Sequence, residues 1–216
     1  MIIIGAKGFA KEVLEILMQN RQIENLAFFD NVSAESEKLL YDQFPILRSF
    51  EEAQDFFEKT GDTNFTIGMG NPVNRYKVYR QFLELGGQFS STISPFARIG
   101  HFGNKIDEGC NIMTGTVITN SVTIDKGVLI NLNCTVGHDC KIGEFVEMSP
   151  GTHISGNCEV GRFSVFGTNS TVLPKIKIGS NVIVGAGAVV TKDVPDNSLI
   201  VGIPGKVLKE LPPLDF

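Results

Sequence analysis

Val136-Gly137-His138-Asp139-Cys140-Lys141-Ile142-Gly143-Glu144-Phe145-Val146-Glu147-Met148 carries three apolar residues six places apart, Val136, Ile142 and Met148. Extended in both directions, the interval never slips. Ile106, Ile112, Ile118, Ile124 and Ile130 come before it, and Ile154, Val160, Phe166, Val172, Ile178, Val184 and Val190 come after. A helix brings its buried face round every ~3.6 residues and a strand every ~2, so an unbroken period of six fits neither alone. It fits short strands joined by regular turns and wound into a parallel β-helix.

Two further columns follow the same period. Four places after each apolar residue the chain is small or β-branched, as at Cys110, Thr116, Val122, Cys134, Cys140, Thr152, Cys158, Ser164, Val182, Ala188 and Val194. The place directly after the apolar residue is often glycine, at Gly137, Gly143, Gly161, Gly167, Gly179 and Gly185, where a turn needing an unusual backbone is expected. This unit resembles that of the hexapeptide-repeat acyltransferases, and the resemblance implies a left-handed β-helix with three strands to each coil. The fifteen units from Ile106 to Val190 then make five coils. At ~4.8 Å per strand that is a prism roughly 24 Å long.

All four cysteines fall in the small-residue column and none shows the C-x-x-C spacing of a metal or redox site, so they read as buried, reduced hydrophobes. Cys140 lies two residues from His138, but its phase faces inward whereas that of His138 lies at a turn. Reduced thiols suit a cytoplasmic protein. The chain has 19 Lys plus Arg against 24 Asp plus Glu and no basic block, which argues against a nucleic-acid partner. No stretch approaches the ~20 apolar residues that cross a bilayer, so no membrane insertion is expected.

The repeat leaves residues 1–90 as a first domain and 91–216 as a second. Ile2-Ile3-Ile4 reads as a strand, Gly5-Ala6-Lys7-Gly8 as a turn, and Phe9 to Asn20 as a helix. Leu26–Phe29 and Phe65–Gly68 read as further strands, with helices near 50–59 and 73–85. This βαβαβ order predicts a small Rossmann-like parallel sheet. Glycines at a strand-to-helix turn let backbone N–H groups approach a phosphate, though a tight turn without a ligand has the same sequence. Asp30 ends the second strand where dinucleotide folds put an acid on a ribose, and Gly68-Met69-Gly70-Asn71 follows the third along the same edge.

A front domain opening Ile3-Ile4-Gly5-Ala6-Lys7-Gly8, a β-helix containing Gly137-His138-Asp139, and a closing Val201-Gly202-Ile203-Pro204 are together similar to the PglD/NeuD family of bacterial sugar acyltransferases. The resemblance covers nearly the whole chain. It implies an acceptor sugar nucleotide on the front domain, acetyl-CoA as co-substrate on the β-helix, no metal, and a homotrimer. Gly5, Lys7, Gly8, Gly70, Asn71 and Asp30 would contribute to the acceptor pocket. Phe9 and Asn31 stand where the family often has histidine and a second acid. Asn131 matches a position lining the site, unless it only supports a turn. Glu147 replaces a second histidine common in the family.

A turn histidine is ordinarily a solvated side chain, but the resemblance at Gly137-His138-Asp139 makes His138 the general base, with Asp139 holding its imidazole. One coil later in register comes Gly156, whose N–H is free of side-chain cover and would stabilise the oxyanion of the attacked thioester. His101 and His153 have no acidic neighbour and read as structural or solvent-facing. The spacing of the three histidines does not suggest a zinc site. Gly156, Gly185, Gly187, Lys192, Gly202 and Lys206 would meet CoA, the lysines at its phosphates unless they are merely surface charges. The expected activity is N-acetylation of a nucleotide-linked 4-amino-deoxy sugar in bacterial surface-glycan biosynthesis. The alternatives are a sialic-acid-type O-acetyltransferase and a non-catalytic sugar-nucleotide-binding trimer.

Overall fold

A computed structural model of the chain describes residues 1–33 and 37–215. The front part runs β1 (Ile2–Ile4), α1 (Gly8–Gln19), β2 (Ala27–Phe29), β3 (Leu39–Leu40), β4 (Phe44–Leu47), α2 (Phe50–Thr60), β5 (Asn64–Ile67), α3 (Pro72–Glu84) and β6 (Gln88–Phe89). The strands form one sheet in the order β3-β4-β2-β1-β5-β6, parallel except where β3 meets β4. Side chains alternate across a strand, so β1 faces two cores. Ile3 meets Ala10, Val13 and Leu17 of α1, while Ile2 and Ile4 join Phe57 of α2 and Phe82 of α3. Ser49 caps α2 by accepting the Glu52 N–H, and Gly61 ends it in the left-handed region. The strands and helices read from the sequence are all present; β3, β4 and β6 are additional.

From Thr92–Ile93 to Val189–Val190 the chain winds as two-residue strands into a β-helix with three parallel faces. The 18-residue coil is explicit in the register, which pairs Leu129 with Glu147, Thr135 with His153, and Lys141 with Glu159. Every apolar residue of the period from Ile112 to Val190 is at most 5% exposed, and the small column beside it fills the rest of the interior. Thiols and hydroxyls of that column donate to carbonyls, as Ser164 Oγ does to the Gly179 oxygen at 2.8 Å.

Three details differ from the expectation. The glycines after the apolar residues are not the left-handed positions. Those fall two places later, at Asn133, Asp139, Gly151, Asn157 and Asn169 among others. The glycine column serves close stacking instead: a Cβ on Gly137 would lie 2.5 Å from the Gly156 nitrogen, and one on Gly161 2.4 Å from the Ser180 nitrogen. Two strands, ending at Ile93 and Ile99, also precede the continuous period that begins at Ile106. The pairs Thr92–Asn111 and Arg98–Val117 span 19 residues and Lys105–Thr123 spans 18, so the corner between Ile99 and Lys105 holds one extra residue. Finally, Val194 pairs with Ile178 and not with the small column, because the last corner is shortened.

The two parts share a core. Phe145 and Phe163, stacked 5.7 Å apart on the β-helix, enter the cluster containing Tyr79 and Phe82 of α3 and Phe89 of β6. Ile16 of α1 packs with Met113 and Leu129. Polar contacts complete the seam, with the Asn111 amide donating to the Ile67 carbonyl at 2.7 Å and the Asn20 amide to that of Ile93 at 3.0 Å. Among the described residues no helix is long and apolar enough to cross a membrane.

Candidate active site

At the carboxyl edge of the front sheet lies a cavity of about 410 Å³, lined by Gly5, Lys7, Gly8, Phe9, Asp30, Asn31, Val32, Met69 and Gly70 among others. Glycine is needed at two positions to form it. Gly5 has φ +105° and a Cβ there would sit 2.8 Å from the Gly68 carbonyl oxygen; a Cβ on Gly68 would collide with Ala10 at 2.6 Å. The strand end and the first turn of α1 therefore come close together, and α1 has no acidic residue in that turn to oppose an anion. Asp30 Oδ1 accepts from the N–H groups of Val32 and Ser33 at 3.1 and 2.9 Å, and Arg48 Nη1 stands 3.9 Å from Oδ2. Burial alone would raise the Asp30 pKa, but these hydrogen bonds and the Arg48 charge hold it below the ordinary carboxylate value.

Asn71 does not line that cavity. It caps α3, its Oδ1 accepting the Asn74 N–H at 3.0 Å, and its own N–H donates to Glu147 Oε2 at 2.8 Å. Glu147 thus reaches from the β-helix to the front loop, where a Cβ on Gly70 would meet its Oε1 at 3.1 Å. Behind it, Arg75 is 2% exposed and donates to the carbonyls of Gly127 and Val146. Burial lowers the Arg75 pKa to about 10 despite the Glu147 charge, and its Nη1 has no hydrogen-bond partner among the described residues.

His138 stands at another edge of the prism. Its Nδ1 lies 2.7 Å from Asp139 Oδ2, and both side chains are more than half exposed. Its backbone oxygen accepts the Asn157 N–H at 2.8 Å, fixing this corner to the next coil. A Cβ on Gly156 would lie 2.7 Å from His138 Nε2 and 2.9 Å from Cε1, so the imidazole rests against the bare α-carbon of Gly156. The Gly156 N–H makes no hydrogen bond among the described residues. One carboxylate-oriented imidazole beside one open amide can take a proton and stabilise a neighbouring oxyanion.

Comparison with known proteins agrees at both ends of the chain. The PglD N-terminal domain matches residues 1–82, and the bacterial transferase hexapeptide (six repeats) matches residues 157–192. WeeI from Acinetobacter baumannii is 30% identical, with 96% of this chain and 98% of that one covered at a TM-score of 0.85. The chain belongs to the PglD/NeuD family of sugar acyltransferases. Two further structures of comparable likeness were solved with ligands. A variant of perosamine N-acetyltransferase from Caulobacter crescentus, in complex with CoA and GDP-perosamine, is 26% identical, with 97% and 96% covered at a TM-score of 0.88. The acetyltransferase domain of PglB from Neisseria gonorrhoeae, in complex with acetyl coenzyme A, is 29% identical, with 96% and 98% covered at 0.85. The chain spans about half the length of the first curated relatives it matches; a serine acetyltransferase from Bacillus pumilus is 34% identical over 113 residues, 48% of this chain and 52% of that one.

Within this member of the family, the remaining candidates are dispersed. Lys192 occupies the shortened final corner on the same edge as His138 and Gly156. Gly185 stands on the edge of Asn131, as the register Leu129–Glu147–Val165–Ile183 requires. Asn131 Oδ1 accepts its neighbour Leu132 N–H at 2.7 Å, a turn-supporting role. Gly187 and Gly202 have φ of +66° and +96°, and Lys206 opens an exposed final strand. His101 is exposed in the enlarged corner between Ile99 and Lys105, and His153 Nδ1 contacts Thr135 Oγ1 at 3.0 Å. All four cysteines are free and buried; burial pushes the Cys110 thiol up to about 12 and Cys134 to about 11. Among the described residues no three His, Cys, Asp or Glu side chains cluster as metal ligands. Sequence reading missed Arg48 and Arg75, whose roles depend on contacts across 18 and 52 residues with no local pattern.

Proposed function

We propose that this chain is an acetyl-CoA-dependent N-acetyltransferase acting on the amino group of a nucleotide-linked 4-amino-deoxy sugar in bacterial surface-glycan biosynthesis. The observation that carries the reading is the His138 imidazole, held by Asp139 at 2.7 Å on one side and set against Gly156 on the other. The acceptor amine attacks the thioester carbonyl carbon while His138 Nε2 takes its proton. The Gly156 N–H stabilises the tetrahedral oxyanion. The carbon–sulfur bond then breaks, and the CoA thiolate recovers the proton from the imidazolium, with no acyl-enzyme.

Residues 1–90 form the sugar-nucleotide domain, with Gly5, Lys7, Gly8, Phe9, Asp30, Asn31 and Gly70 around the acceptor and Glu147, held by the Asn71 N–H, at the seam beside them. Residues 91–216 form the acyl-CoA domain, with Gly185, Gly187, Lys192, Gly202 and Lys206 along the donor. The ligands named for the perosamine and PglB structures support both assignments. The enzyme works in the cytoplasm as a homotrimer.

The test is a panel of UDP-, dTDP- and GDP-linked amino sugars incubated with acetyl-CoA and monitored for free thiol. One acceptor should release CoA and give an acetylated product that resists hydroxylamine, as an amide does. His138→Ala should bind both substrates and lose ~10²–10⁴-fold in kcat. Thiol release from no acceptor, or near-normal turnover by His138→Ala, refutes the reading.

A further inference from the structure

Most hydroxyls and thiols of the small-residue column inside the β-helix donate from residue i to the carbonyl of residue i+15, although Ser170 Oγ has no partner among the described residues. Thr116 Oγ1 reaches the Asn131 oxygen at 2.9 Å, Cys134 Sγ that of Ser149 at 3.2 Å, and Ser164 Oγ that of Gly179 at 2.8 Å. At Cys140 the receiving carbonyl is that of Ser155, 3.1 Å from Sγ. That carbonyl belongs to the Ser155–Gly156 peptide, whose N–H is the open amide beside His138.

We infer that Cys140 is a positioning residue for acyl transfer: from inside the prism its thiol fixes and polarises the peptide whose N–H faces the oxyanion. A carbonyl that accepts a hydrogen bond makes the N–H of the same peptide a better donor, and a fixed peptide plane does not reorient as charge develops. The neighbouring Cys158 side chain and burial push the Cys140 thiol above its ordinary range, so Sγ is protonated. The Cys158 N–H in turn donates to Cys140 Sγ at 3.4 Å, which orients the sulfur. Elsewhere in the column Thr116 and Ser164 reach peptides whose N–H groups already donate, that of Leu132 to Asn131 Oδ1 and that of Ser180 to Asp196 Oδ1. Cys134 and Cys158 make the same bond to Ser149 and Leu173, but those peptides run into Pro150 and Pro174 and have no N–H to polarise.

The inference rests on the Gly156 amide being the oxyanion donor. The repeat itself supplies tolerated replacements, since Val122, Val128, Val146 and Val182 occupy the same column fully buried. Steady-state kinetics with both substrates should show Cys140→Val losing about 3- to 10-fold in kcat, the fold-change that one ordinary hydrogen bond represents. Both KM values should hold, and Cys140→Ser and Cys140→Thr should restore kcat, because a hydroxyl spans the same gap at Ser164 and Thr116. Cys134→Val should turn over normally. Undiminished kcat in Cys140→Val, no rescue by either hydroxyl, or an equal loss in Cys134→Val overturns the inference. His138→Ala in the same assay separates the two levels. If it is inactive while Cys140→Val is unimpaired, only the Cys140 role falls; if it remains active, the underlying reading falls with it.

Discussion

Gly156→Ala adds one methyl group at the point where the imidazole rests. The backbone there has no positive φ, so alanine introduces no left-handed strain; the nearest conflicts are all with His138. The new Cβ would lie 2.7 Å from Nε2, 2.9 Å from Cε1 and 3.1 Å from Cδ2. Ordinary contact is ~3.5 Å or more, so the ring must retreat by roughly 0.8 Å. Retreat swings Nδ1 away from its 2.7 Å contact with Asp139 and moves Nε2 off its line to the acceptor. A ~1 Å misplacement of a reacting group costs ~10²-fold in rate, the expected fall in kcat. Stability should change by less than ~0.5 kcal/mol, because the His138 side chain is 64% exposed and has open space to swing into. The assay is CoA release followed with a thiol reagent, alongside thermal unfolding. Combined with His138→Ala, the glycine substitution should add little, since both act through one group. Turnover near that of the parent in folded Gly156→Ala, or fully additive losses in the double variant, refutes the stacked geometry as the source of the rate.

Two further outcomes follow from the front domain. Asp30 has a folded pKa below its unfolded value, so its contribution to stability is complete above ~4 and fades as the pH falls through the lowered folded value. Unfolding midpoints measured between pH 2 and 6 should therefore show Asp30→Asn less stable than the parent at pH 6 and converging with it in acid; a constant gap refutes this. Glu147→Gln removes the charge facing buried Arg75 and weakens the bond to the Asn71 N–H, and urea unfolding should register a loss of about 1 kcal/mol, with no loss counting against the contact.

The period of six was sufficient to find the β-helix, because burial alternates with the chain's own geometry and every residue of the apolar column from Ile112 onward is inside. It was less informative about turns. Glycine suggested a left-handed backbone at Gly137, but the left-handed residue is Asp139 and glycine is needed because another coil lies against it. Ile93 and Ile99 fall outside the unbroken phase because of one extra residue between Ile99 and Lys105. In the front domain β4 was missed because Pro45 interrupts a short apolar run; the strand pairs with β2 through Ile46 and Leu47, beyond the proline. The register placed Gly156 over His138 correctly, since coils repeat at a fixed interval. It had no means of bringing Asn71 to Glu147, 76 residues apart, because that contact is made by docking between two units with different periods.

The shared aromatic core bears on how an acceptor is chosen. Domains joined by a polar seam can open and shut on a ligand, but here rings from the β-helix are interleaved with those of α3 and β6, and a buried guanidinium is tied to two carbonyls beneath them. The front cavity is therefore mounted at a set height on the prism, as the jaw of a locked caliper is set on its beam. For the proposed acceptor, selection would then work by reach: a sugar whose nitrogen stands at the wrong distance from its phosphates could not be drawn into line by movement of the front cavity.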